Sequence, residues 1–302
     1  MPDAVSLRGV LPMLATPFDL DGRVHMDGLT RLVDHVLDSG ADGLAAFGLA
    51  SETYALSDSE RRELAEAILA RVAGRRPVLI TVTAESTALA VDFARHAQRS
   101  GAAALMLAPP RVTRGGPAAR ARHYGAVAAA VDVPIMVQDA PGYIGVGLGA
   151  GLIARIARAH PNVRYVKTET LPVAPAIAAL RAEMGDAVTI FSGNGGLYFM
   201  DTLRGGAVGT IPGCDIPEPF VAIYRARAAG DAAAAEALFR RILPLLVYQN
   251  QSLDLYIACT KAVLAHRGLI AHPGLRPPGL VLDSRSVADV IGLYEEVSWS
   301  TT

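Results

Sequence analysis

Short apolar runs rich in β-formers alternate along this chain with longer stretches whose apolar residues, many of them alanine, recur at helical spacing. The runs cover residues 9–18, 43–48, 78–83, 103–110, 134–141, 163–170, 188–194 and 207–213. Between them the spacing predicts helices over stretches such as 27–39, 58–73, 86–100 and 117–130. Ser57 or Asp58, with Glu60 and Arg61, marks a helix start, and Gly40, Gly74 and Gly101 mark helix stops. Strands that alternate with helices pair in parallel through right-handed crossovers. Eight such units match a (β/α)8 TIM barrel.

A doubly wound sheet is the other architecture this alternation allows. Such sheets usually carry a glycine-rich phosphate loop after the first strand. Here that place holds Ala15-Thr16-Pro17-Phe18, which cradles nothing. The glycines of Gly193-Asn194-Gly195-Gly196 suit a tight strand-to-helix turn as well as they suit a phosphate. Further helical stretches at 217–230, 231–249, 252–268 and 284–297 exceed what a barrel needs. The expected division is a barrel catalytic domain over residues 1–230 and a C-terminal helical extension over 231–302.

Composition narrows the function classes. Apolar residues make up 51% of the 302 and charged ones 19%, enough apolar surface for a large ordered core. The net charge of −1, with no basic arm, argues against nucleic-acid or membrane partners. Two distant cysteines, Cys214 and Cys259, argue against a disulfide scaffold and fit a reducing cytoplasm. The N-terminal Met1-Pro2-Asp3-Ala4-Val5-Ser6 lacks the regions of a signal peptide, and no apolar run is long enough to span a bilayer. A cytoplasmic protein is expected. The seven histidines show no metal-ligand spacing, and no Ser-His-Asp arrangement is recognisable.

The basic residues carry a sharper signal. Of 28, only Lys167 and Lys261 are lysines. Only a lysine has an amine that burial can turn into a neutral nucleophile. Lys167 sits in the sixth run, near the strand end where barrel active sites lie. Strand side chains alternate, so Tyr165, Lys167 and Glu169 share one face. Two readings stay open there: a Schiff-base lysine with Glu169 as its acid/base partner, or a Lys–Glu pair that fills the barrel interior. Gln138, polar after an apolar run, is either a substrate contact or a strand end that reaches the surface. Gly48-Leu49-Ala50-Ser51 follows the second strand, and its small residues let backbone amides approach a carboxylate. Glu52 reads as a site residue or as a cap. Lys261, in a helical pattern, reads as a helix-surface or packing residue.

Taken in order, these marks resemble the dihydrodipicolinate synthase and N-acetylneuraminate lyase superfamily over nearly the whole chain. The matching residues are Gly9-Val10 with Thr16-Pro17-Phe18, then Gly48-x-x-x-Glu52 followed by Leu56-Ser57. Pro134-Ile135-Met136 leading to Pro141, Val166-Lys167 and Gly206-Ala207-Val208-Gly209-Thr210-Ile211 complete the set. The resemblance implies a TIM barrel with a C-terminal helical extension, Lys167 as the Schiff-base lysine, and a small-molecule 2-oxo acid substrate such as pyruvate or a derivative. It implies no metal or organic cofactor, since the lysine is the electron sink, and a homo-oligomer, often a tetramer.

Departures from the family pattern direct the finer reading. The two relay hydroxyls usual after the second strand are replaced by Leu49 and Ala50. Gln138 stands in place of the fifth-strand tyrosine, and no tyrosine occupies Pro110-Arg111-Val112. Tyr143 or Ile144 aligns with the arginine that grips aspartate semialdehyde in true dihydrodipicolinate synthases, which argues against lysine biosynthesis. Ser51-Glu52, residues 134–141 and Lys167-x-Glu169-Thr170 look like the 2-keto-3-deoxy-L-arabonate dehydratase branch. The expected catalytic residues are Lys167, Glu169 and Gln138. The expected substrate contacts are Gly48, Leu49, Ala50, Ser51, Tyr143, Asn194 and Ile211. The apolar Leu49, Val112 and Tyr143 motivate a second reading, a pyruvate-dependent aldolase or hydratase-aldolase. A barrel that binds a 2-oxo acid without turnover is a third.

Overall fold

The computed structural model describes residues 6–113 and 115–297. The start of the chain, on which the signal-peptide reading rests, and the last five residues of the expected extension lie outside the described residues.

Each predicted run contains one strand. These are β1 (Gly9–Val10), β2 (Leu44–Ala46), β3 (Val78–Thr81), β4 (Ala104–Leu107), β5 (Ile135–Asp139), β6 (Val163–Thr168), β7 (Thr189–Ser192) and β8 (Gly209–Thr210). The helices are α1 (Met26–Asp38), α2 (Asp58–Val72), α3 (Thr87–Arg99), α4 (Pro117–Ala128), α5 (Pro141–Ile144), α6 (Ala150–Ala159), α7 (Val173–Met184) and α8 (Phe199–Arg204). Then come α9 (Pro217–Ala228), α10 (Ala232–Gln249), α11 (Leu253–His266) and α12 (Ser284–Val297). Gly40, Gly74 and Gly101 follow α1, α2 and α3 with φ of 77°, 73° and 98°, the left-handed backbone that ends helices at glycine.

The strands form one sheet in the order β1-β8-β7-β6-β5-β4-β3-β2, parallel at each pairing from β3 to β8. Parallel bridges from Met13 to Ala45 and to Gly213 join the two ends of that order. A cyclic order of eight parallel strands with intervening helices is the (β/α)8 TIM barrel, not a doubly wound sheet.

The contacts group the chain into two compact units. Among the described residues the first comprises 6–8, 58–113, 115–193 and 198–210, and so holds β3 to β8 with α2 to α8. Strands β3 and β4 are buried at every residue and β6 at all but Arg164. Burial on both faces explains why these strands read as continuous apolar runs. The second comprises, among the described residues, 9–57, 194–197 and 211–297, with β1, α1, β2 and α9 to α12. The expected extension contributes α10, α11 and α12 to it. Ser252 caps α11 by accepting the Leu255 N–H at 3.1 Å, and α11 packs on α10, α12 and the turn at Leu49–Ser51. No described helix is long and apolar enough to cross a membrane.

Candidate active site

In the first unit the polar side chains converge at the ends of β5 and β6. The register pairs Gln138 with Lys167 and Asp139 with Thr168 on adjacent strands. Lys167 Nζ lies 3.3 Å from Glu169 Oε1, and the two side chains are only 8% and 6% exposed. Gln138 Nε2 donates to Glu169 Oε2 at 2.6 Å. One oxygen of the carboxylate is thus held by an amide and the other faces the amine. Pairing is what makes burial of two charged groups tolerable.

Asp139 orders the segments on either side of this cluster. Its carboxylate accepts the Leu148 N–H at 2.8 Å and the Thr170 hydroxyl at 3.0 Å. Its backbone carbonyl accepts the Glu169 N–H at 2.8 Å. The residue after β7, Gly193, is in close approach to Glu169: a Cβ there would stand 2.1 Å from Glu169 Cγ and 2.6 Å from Oε1. Any larger residue at 193 would displace the carboxylate. Tyr143, on α5, is half-buried. Burial, then the charges of Glu169 and Tyr198, push its phenol up to about 12. It therefore stays protonated near neutrality and can donate but not act as a base.

The second unit holds the Gly48–Ser51 turn, folded as a single 3-10 turn over Leu49–Ser51. Its bonds use the N–H groups of Ser51 and Glu52, to Gly48 O and Leu49 O. The Leu49 and Ala50 amides precede the first turn bond, where a helical turn has no internal acceptor for them. The Ser51 hydroxyl is buried and donates to Leu14 O at 2.5 Å, while Ser51 O accepts from Thr16 at 2.7 Å. Ser51 therefore ties the turn to the segment after β1, and its hydroxyl hydrogen is committed there. Asn194 is buried in left-handed backbone (φ 52°), and Ile211 is buried just after β8. Among the described residues the other non-glycines in this backbone region are Phe47, Glu52 and Ala73. Each such residue costs about 1–3 kcal/mol and persists only where its surroundings over-determine it. Three of the four lie just beyond β2 or β7.

The structure brings Lys167, Glu169 and Gln138 together in one hydrogen-bonded group, with Tyr143 close enough to feel Glu169. It decides between the open alternatives at two positions. Gln138 is 3% exposed and spends its amide on Glu169, so it is no surface-reaching strand end. Lys261 is wholly buried rather than on a helix surface, and it pairs with Glu52. Ile144 is buried, and Val112 is 79% exposed in a loop. Sequence reasoning missed Gly193 and the Lys261–Glu52 pair. The rarity of lysine was the available signal for the latter.

Comparison with known proteins agrees with this fold. The model of the "Dihydrodipicolinate synthetase family" matches residues 6–291. L-2-keto-3-deoxyarabonate dehydratase of Azospirillum brasilense is 33% identical over 290 residues, covering 95% of this chain and 93% of that protein. 4-Hydroxy-tetrahydrodipicolinate synthase 2 of Streptomyces coelicolor is 32% identical, covering 89% and 88%. The crystal structure of dihydrodipicolinate synthase from Rhodopseudomonas palustris superposes with a TM-score of 0.89 at 28% identity, over 96% of this chain and 97% of that one. With the family model matched over residues 6–291 and relatives of this identity covered nearly end to end, the chain belongs to the dihydrodipicolinate synthetase family.

Proposed function

We propose that this enzyme is a Schiff-base dehydratase of a 2-keto-3-deoxy sugar acid, with Lys167 as nucleophile and Glu169 as acid/base. Enzymes of the family work through a lysine Schiff base, without a metal or other cofactor. The observation that carries the finer reading is the hydrogen-bonded Lys167–Glu169–Gln138 group. In the resemblance, Gln138 replaces a tyrosine relay, and here it fixes a carboxylate instead.

The steps balance with these groups alone. Lys167 passes a proton to Glu169 and its amine adds to C2; the carbinolamine hydroxyl then takes that proton and leaves as water, which gives the iminium and restores the Glu169 carboxylate. The iminium acidifies C3. Glu169 takes a C3 proton through the oxygen that faces Lys167, and the C3–H electron pair forms the enamine. The enamine pushes out the C4 hydroxyl, which leaves as water with the proton Glu169 now holds, and the C3=C4 double bond forms. Hydrolysis of the iminium frees the product and the amine. Gln138 keeps Oε2 occupied, which leaves Oε1 as the oxygen that moves protons. We assign the substrate carboxylate to the Leu49 and Ala50 amides, the part of the turn the resemblance implies. The assay that tests this is borohydride reduction in the presence of pyruvate, read by mass spectrometry. An adduct on Lys167 is expected; an adduct that survives Lys167→Ala sinks the assignment. With 3-deoxy-2-oxo sugar acids, a dehydrated 2-oxo acid is expected. Release of pyruvate would favour an aldolase, the reading that the half-buried, apolar Leu49 supports.

A further inference from the structure

Lys261 is among the most enclosed side chains of the second unit. It lies on α11, is 0% exposed, and forms an ion pair with Glu52, itself 1% exposed. Its Nζ also donates to Gly274 O at 3.1 Å and sits 4.3 Å from the centre of the Phe18 ring. Arg276 completes the enclosure. Its backbone N–H donates to Glu52 Oε2 at 3.0 Å, its guanidinium donates to Ala55 O at 2.7 Å and Gly22 O at 2.8 Å, and it too stacks on Phe18, at 4.5 Å. Glu52 is the residue in left-handed backbone that ends the Leu49–Ser51 turn and begins the next one, Thr53–Ala55. A strained backbone is thus gripped through its own side chain, and the following turn through a carbonyl. A buried charge pair is a poor way to gain stability but a good way to fix one geometry.

We propose that Lys261 and Arg276 are positioning residues that lock Glu52, and through it the Gly48–Leu56 segment, in the conformation that receives the substrate carboxylate. The proposal rests on the assignment of that turn to the substrate. Neither residue touches substrate; each acts through Glu52 or the turn carbonyls. Burial, the largest cause, lowers the Lys261 pKa, and the Glu52 carboxylate opposes that shift without cancelling it.

The test pairs Lys261→Met with Glu52→Gln, which removes both charges at similar volume, and compares it with Arg276→Met, which keeps the ion pair. Hydrogen exchange of amides 49–56 is read beside KM and kcat for the dehydrated substrate. In both variants these amides should exchange about tenfold faster or more, while α10 amides stay as in wild type. KM should rise about tenfold with kcat changed less than about threefold. A folded variant with wild-type exchange at 49–56 overturns the proposal. So does faster exchange with unchanged KM, since the clamp would then only stabilise. If the doubly neutral variant fails to fold, Arg276→Met decides by the same readings. If wild-type protein forms no pyruvate adduct, the Schiff-base assignment fails, and the exchange reading alone judges the clamp.

Discussion

Lys167 faces Glu169 at 3.3 Å, and Lys261 faces Glu52 in an ion pair, but the surroundings of the two amines differ in kind. Around Lys261 stand a carboxylate, a backbone carbonyl and the face of an aromatic ring. All three stabilise an ammonium, and complete burial leaves no room for a carbonyl compound to approach. Lys167 has the carboxylate as its ion-pair partner and keeps a small exposure at the end of a barrel strand. Its partner is shared with Gln138 and sits near a phenol. The same residue pair therefore serves structure at Lys261, where a carboxylate, a carbonyl and a ring face oppose the lowering of its pKa by burial and by Arg276. On the proposed mechanism it serves chemistry at Lys167, where the carboxylate gives and takes the proton.

The strongest test of this contrast removes each amine in turn. Lys167→Ala should abolish the borohydride adduct and lower turnover on the order of 10⁴- to 10⁶-fold, with a smaller loss of urea midpoint than Lys261→Met because Gln138 still holds Glu169. Lys261→Met should do the reverse. It strands Glu52 in a site with 1% exposure, which costs about 3–5 kcal/mol of stability in urea denaturation. Equal stability losses in the two variants would erase the distinction between the pairs.

Glu169→Gln separates the partners within the reactive pair. Adduct formation on Lys167 should survive, while turnover falls about 10²- to 10⁴-fold, since proton transfer at C3 is lost and the carbonyl carbon remains open to attack. A milder version leaves the carboxylate chemically intact. In Gly193→Ala the new methyl would stand 2.1 Å from Glu169 Cγ, so the side chain must move. A misplacement of this size should lower kcat about 10²-fold, with the adduct and the fold retained. Unchanged kcat in Gly193→Ala would show that Glu169 need not be where it is for catalysis.

The fold was legible because a parallel barrel writes its strands as continuous apolar runs, and each run from 9–18 to 207–213 contains one strand. Lys167 and Glu169 were legible through side-chain alternation, although Glu169 lies one residue beyond β6. Gln138 could be flagged as polar, but its bond to Glu169 depends on the β5–β6 register, which no local pattern encodes. Lys261 was read as a helix-surface or packing residue because α11 is apolar nearly all round and its partner lies 209 positions away at Glu52. Gly193 was hidden for another reason. A glycine can be required by a neighbour's side chain rather than by its own backbone angles, and only the three-dimensional approach of Glu169 reveals it.

The smallest expected effect probes the open side of the reactive pair. The Tyr143 phenol is raised to about 12, first by burial and then by the anionic charges of Glu169 and Tyr198. Near neutrality it is a donor, so Tyr143→Phe should change turnover less than about tenfold and leave the alkaline limb of the kcat profile in place. The linkage has a definite sign. Between about 10 and about 12 the folded protein keeps a proton that the unfolded chain has released, so stability contributed by this group falls as pH rises through that window. Tyr143→Phe should flatten that slope. Because Glu169 supplies part of the shift and burial the larger part, Glu169→Gln should move the phenol only part of the way back toward 10. Ultraviolet titration of the phenolate reads this directly. A Tyr143 titration identical in wild type and Glu169→Gln would show that no charge resides on Glu169 beside it, and the carboxylate could not then be the base that the Lys167 pair requires.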